Sequence, residues 1–134
     1  MPVTCKHLVN KIEGSLYLYF MRRSDALRND ALSGTRLTSR EKKMLAIICD
    51  DATRLDDWMT VIDGVVSQME NKLFQQLILL RYNERKDQPD VCHELGIEKS
   101  TYYNYRSKII EAIAVMALSE NLCSRSEVST LLDF

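Results

Sequence analysis

Gln88 to Ser107, QPDVCHELGIEKSTYYNYRS, is the stretch on which the reading of this chain turns. Pro89 can open a short helix, because the N–H it lacks would go unpaired in the first turn anyway. Val91, Cys92 and Leu95 give that helix a small apolar face. Gly96 follows, where a sharp turn needs a backbone with positive φ, and Ile97 anchors the turn from inside. Ser100-Thr101 then leads into a second helix whose buried stripe starts at Tyr102 and Tyr105. This layout is that of a helix-turn-helix, whose second helix lies in the DNA major groove.

The rest of the chain is consistent with a helical setting for that unit. Among 134 residues, 46% are hydrophobic and only four are Gly and two Pro. So few breakers, with abundant Leu, Ile, Met, Glu, Lys and Arg, predict an all-α protein with a packed core. The net charge of −1 carries no global signature of nucleic-acid binding, so positive charge would have to be local. No apolar run approaches membrane-spanning length. No leader peptide is apparent, and the four cysteines, Cys5, Cys49, Cys92 and Cys123, read as reduced thiols in a cytoplasm. Cys92 and His93 are adjacent, a poor spacing for zinc, and no metal or cofactor is expected.

N-terminal to the unit, Leu8, Ile12, Leu16 and Tyr19 recur at helical spacing, predicting a helix from about Thr4 to Arg28 with Lys6, Lys11 and Glu13 on its other face. NDALSGT (29–35) is a break, and Thr38-Ser39-Arg40-Glu41 fits a capping box. Leu45, Ile48, Ala52, Leu55, Met59, Ile62, Val66, Met69 and Leu73 then alternate spacings of three and four. Such a seam is either a core stripe or a dimerisation face; the first is preferred, because a seam in a small helical protein usually packs within its own chain. Gly64 and a second capping box, Ser67 to Glu70, divide the run into helices of about Ser39–Val66 and Gln68–Arg85. The second is expected to bury Met69, Leu73, Leu77 and Leu80, widened by Phe74 and Ile78.

The last long helix, about Lys99 to Leu118, carries the apolar line Tyr102, Tyr105, Ile109, Ile113 and Met116, and a short helix of about Ser126–Leu132 can follow it. With that line inward, the opposite face is Ser100, Tyr103, Asn104 and Ser107, flanked by Lys99 and Arg106. Asn can bond adenine in two places, Arg can reach guanine or phosphate, Ser and Lys can hold phosphate, and Tyr can meet phosphate or a thymine methyl. Arg81, Arg85 and Lys86 are candidates for backbone contacts beside the groove. Tyr103 is the residue that a merely solvated face explains badly. Between Asn71 and Leu118, basic side chains outnumber acidic ones only seven to six, so non-specific affinity should be modest.

No catalytic constellation is visible. His7 and His93 are far apart in sequence, no Gly-rich phosphate loop occurs, and Asp50-Asp51 and Asp56-Asp57 are neighbours that diverge on a helix. An enzyme is not expected.

From about Val61 to Leu118 the sequence resembles the C-terminal half of the ArpU and RinA type regulators of Gram-positive bacteriophages, themselves similar to the sigma-factor C-terminal DNA-binding region. The residues that carry the resemblance are LLRYNE (79–84), VCHELGI (91–97), STYY (100–103) and KIIEAIA (108–114). Glu98 stands where members often have Ser. The resemblance implies a cytoplasmic, phage- or prophage-encoded transcription regulator that activates late genes for packaging, morphogenesis or lysis. The expected organisation is a helical N-terminal region (1–66) for support or dimerisation, a helix-turn-helix that binds double-stranded DNA (67–118) and a tail (119–134). The rival reading is a protein-interaction module for RNA polymerase, a sigma factor or another regulator, using the Tyr103 face.

Overall fold

The computed structural model describes residues 3–23, 39 and 54–132. Among these the protein is all-α, with six helices and no strand. They are α1 (Val3–Arg23), α2 (Leu55–Gln68), α3 (Lys72–Ile78), α4 (Gln88–Leu95), α5 (Lys99–Ser119) and α6 (Arg125–Leu132). The break expected at 29–35, the capping box beyond Ser39 and the seam positions Leu45, Ile48 and Ala52 lie outside the described residues, as do Asp50-Asp51 and the end of the helix expected to reach Arg28.

Helix α1 is the centre of the fold. It packs on α2, α5, α6 and the segment after α3. Every residue from Ile12 to Phe20 is buried, so this part of the helix has no wet face. The placement of Glu13 on a polar face is therefore corrected: it is 0% exposed. A helix enclosed all round belongs to the interior of a bundle. Ser15 meets that environment by donating its hydroxyl to the Lys11 carbonyl at 2.8 Å. Around α1 gather Trp58 and Ile62 from α2, Leu77 and Ile78 from α3, Val91 from α4, Ile109, Ile113 and Ala117 from α5 and Val128 from α6. Each fully buried Ile or Leu here contributes about 1.5–3 kcal/mol. One core thus crosses the expected 66/67 boundary. Ile62 is fully buried, and Met59, Val66 and Met69 pack against the core, so the described part of the seam is spent mainly inside the chain. Leu73, at its end, is 36% exposed.

The break between α2 and α3 falls where the second capping box was expected, but Ser67 to Glu70 does not form one. Ser67 lies in the last turn of α2, and Asn71 caps α3 by accepting from the amides of Leu73 and Phe74. Helix α3 then widens into a π turn, Leu79–Asn83, in which the Glu84 amide reaches back to the Leu79 carbonyl at 2.9 Å. The extra residue shifts the inward face. Leu77, Ile78 and Tyr82 are buried, whereas Leu79 is 44% exposed. Arg85, at φ 59°, ends the run.

Helix α6 starts at Arg125, one residue before the expected position. Its cap is Ser124: the Glu127 amide donates to the Ser124 hydroxyl and the Ser124 amide to the Glu127 carboxylate. Val128 and Leu131 dock it, and the Cys123 thiol points at the Ala114 carbonyl.

Candidate nucleic-acid interface

Helices α4 and α5 are joined by Gly96, Ile97 and Glu98. Asp87 caps α4 by accepting from the Asp90 amide, and Pro89 sits in the first turn, where its missing N–H costs nothing. Gly96 takes the left-handed conformation, φ 65° and ψ 38°, and the Ile97 amide closes the turn on the Cys92 carbonyl at 3.1 Å. Val91 is fully buried, while Cys92, Leu95 and Ile97 pack at the edge of the core. The bend therefore follows from local chemistry, and the buried valine fixes it to the body of the protein.

Glu98 occupies the N-cap of α5 but makes no side-chain cap bond. The first-turn amides of α5 consequently receive no bond from their own cap. Tyr102 is buried and stands edge-on to Tyr103, with centroids 5.1 Å apart and planes at 82°. Tyr103 itself is 44% exposed. Lys99, Ser100, Asn104 and Ser107 are exposed beside it. These five residues form one continuous outer flank along the first two turns of α5. Tyr105 faces the other way, tilted against Phe74 at 5.0 Å. Further along, the inner line is Ile109, Ile110, Ile113, Ala114 and Ala117, whereas Met116, expected inside, is 41% exposed.

Arg106 does not join that flank. Its guanidinium turns inward and binds both oxygens of the Glu13 carboxylate, with Nε 3.2 Å from Oε2 and Nη2 on Oε1. Tyr82 donates its hydroxyl to the same carboxylate at 2.8 Å. Three helical elements thus meet on one buried anion. Burial alone would lower the Arg106 pKa, but the adjoining carboxylate overrides it and holds the guanidinium firmly charged. Burial, reinforced by Glu13, pushes the Tyr82 phenol well above its ordinary value, so the phenol stays a donor. Glu13 is the important residue the periodicity missed. Its one sequence signal is its place beside Ile12 and Leu16, in a stretch where every other residue is apolar or small.

The residues expected to meet the DNA backbone sit among groups of the chain itself. Arg81 is half-buried, lies over the Tyr17 ring at 5.9 Å and donates to the Lys86 carbonyl at 3.0 Å. Arg85 is half-buried at the end of the π turn. Lys86 is engaged by Glu94 at 2.6 Å and Glu84 at 3.6 Å. The Glu94 hydrogen bond raises the Lys86 pKa. Of the nine residues singled out from the sequence, the structure brings five together on the flank and ties Arg106, Arg81 and Lys86 into other contacts.

Among the described residues, no group of three His, Cys, Asp or Glu side chains could hold a metal ion, and Cys92 and Cys123 are free thiols. No described helix is long and apolar enough to cross a membrane. The class defined by these features is an all-α protein with an open flank at the start of its long α5 helix. Comparison with known proteins finds no matching family model, curated protein or solved structure.

Proposed function

We propose that α4 and α5 act as a helix-turn-helix that reads double-stranded DNA, and that the protein is a sequence-specific transcription regulator. The observation that carries this reading is the flank of Lys99, Ser100, Tyr103, Asn104 and Ser107, held outward at the N-terminal end of α5 by the Arg106–Glu13 pair on its inner side. N-terminal residues of a second helix are the ones that meet base edges in this mode of docking. Asn104 is the candidate for adenine and Tyr103 for a thymine methyl or phosphate. Lys99 and the uncapped first-turn amides of α5 suit the phosphate chain. The reading is one of binding without catalysis, in a cytoplasmic setting. The likeness to phage late regulators noted above extends it to control of late phage or prophage genes.

The cation inventory bounds the affinity. With Arg106, Arg81 and Lys86 occupied, few positive charges face a duplex, so the salt dependence should be shallow. A slope of about −0.9 per phosphate contact gives roughly −2 to −4 for two to four contacts. The test is enrichment of bound fragments from a random duplex pool. A recurring sequence supports the reading, and recovery of the input distribution overturns it.

A second reading has its own observation. A groove of about 300 Å³ lies between the π turn and α4, lined by Leu79, Leu80 and Leu95 with Glu84 and Glu94. An apolar floor suits the apolar face of an amphipathic segment of a protein partner such as RNA polymerase or a sigma factor. Substituting Leu79→Asp would abolish that contact and leave DNA binding intact.

A further inference from the structure

The far half of α5 carries a second open surface. Lys108, Ala112, Met116 and the C-cap residue Glu120 stand four residues apart and share one row of the helix. All four are exposed, Met116 at 41%, and Val115 beside them is 50% exposed. Among the described residues, Lys108 makes no ion pair, and the Glu120 carboxylate has none either. Next to the row runs a groove of about 200 Å³ between α2 and α5, lined by Asp57, Val61, Gly64, Met116 and Glu120. Gly64 sits inside α2, where a glycine weakens the helix, yet a methyl group there would meet nothing within 4 Å among the described residues.

The row is self-complementary when reversed. In one direction it reads cation, small apolar, large apolar, anion; in the other it reads anion, large, small, cation. We infer that two copies of the chain pair through this row, with their α5 helices antiparallel. Lys108 of one copy then faces Glu120 of the other, and Ala112 faces Met116. A two-fold axis near position 114 repeats both pairs, as an isologous contact requires. Gly64 and its groove leave room for the second copy to approach α2 beside the crossing. The row continues the i, i+4 line of Ser100 and Asn104 toward the C-terminal end of α5, whereas Tyr103 is turned away from it around the helix. The inference does not depend on what the outer flank binds.

Sedimentation equilibrium of the full chain, over about a hundredfold range of concentration, tests it. A monomer–dimer equilibrium is expected. Lys108→Glu alone, or Glu120→Lys alone, sets like charges opposite each other and should weaken the dimer by about tenfold or more. Mixing the two variants should restore association as a one-to-one heterodimer, and the double variant should pair with itself. Met116→Glu, on the same exposed row, is a further variant that should remain monomeric with an unchanged circular dichroism spectrum. A chain that stays monomeric throughout, or a dimer indifferent to both charge reversals, would overturn the inference, as would failure of the mixed variants to associate.

Discussion

The Arg106 guanidinium closes on the carboxylate of Glu13, a residue 93 positions earlier in the chain and fully buried in α1. The pair joins the first helix to the second turn of α5, and Tyr82 from the π turn completes it. Its consequence is orientation. With Arg106 held inward, the opposite side of the helix, which bears Asn104 two residues away, must face out, and Tyr103 stands at the margin between the two sides.

Breaking that pair should be costly. Arg106→Ala leaves a buried carboxylate without its counter-charge, and about 3–5 kcal/mol of stability should be lost in urea unfolding. Replacing all three partners, Glu13→Leu with Arg106→Met and Tyr82→Phe, should recover most of the loss, because well-packed apolar groups can substitute for a buried polar cluster when no donor is left orphaned. Arg106→Lys should not recover it, since a point charge cannot span both carboxylate oxygens. A loss below about 1 kcal/mol for Arg106→Ala would show that the pair is incidental.

The two glycines with described surroundings should respond in opposite directions. Gly96 stands at φ 65°, where a side chain is strained, so Gly96→Ala should destabilise by about 1–2 kcal/mol. Gly64 is helical and an added methyl meets nothing within 4 Å among the described residues, so Gly64→Ala should stabilise by about 1 kcal/mol when measured at low protein concentration. Thermal unfolding of the two variants side by side reads both signs.

Alkaline pH should weaken the fold through Cys123. Burial pushes its thiol from 9.0 up to about 11. A pKa raised on folding means that the neutral thiol is the form the native state favours. Its contribution is complete below about pH 9 and fades as pH rises through 11. Stability followed from pH 8 to 11 should fall, and Cys123→Ala should flatten part of that slope. An unchanged slope would place the alkaline loss elsewhere, with Tyr82 the next group to examine.

How far the sequence alone could be read differs from element to element. The bend at Gly96 was legible because Pro89, Val91 and Gly96 act locally, each through its own backbone requirement. The outer flank was legible for the same reason, since Tyr102 and Tyr105 set the phase of α5 within one turn. Arg106 and Glu13 were not, because each looks like a solvated charge until the enclosure of α1 is known. That enclosure depends on which helices surround α1, a tertiary fact. The π turn was hidden because LLRYN continues an ordinary helical pattern, and one extra residue per turn leaves no trace in composition. Met116 was misplaced inside because a line of threes and fours does not distinguish it from Ala117, which the closely packed interior takes instead.

Tyr103→Ala should cost no more than about 1 kcal/mol of stability, because the ring is nearly half exposed and packs edge-on against Tyr102, and should lower DNA affinity. Asn104→Ala should cost about 1–3 kcal/mol of binding on the preferred sequence and far less on others. Equal losses on every duplex would remove Asn104 from base reading, and unchanged affinity for Tyr103→Ala would remove the tyrosine from the interface.

The central claim is that the outer flank of α5 is the surface that meets the duplex. Backbone amide NMR, recorded as an enriched duplex is added to the labelled protein, tests it most directly. The largest shifts should fall on Lys99, Ser100, Tyr103, Asn104 and Ser107, with Val91 and Ile109 nearly still. Shifts centred on Leu79 and Leu95 instead, or none on the flank at saturating duplex, would contradict it.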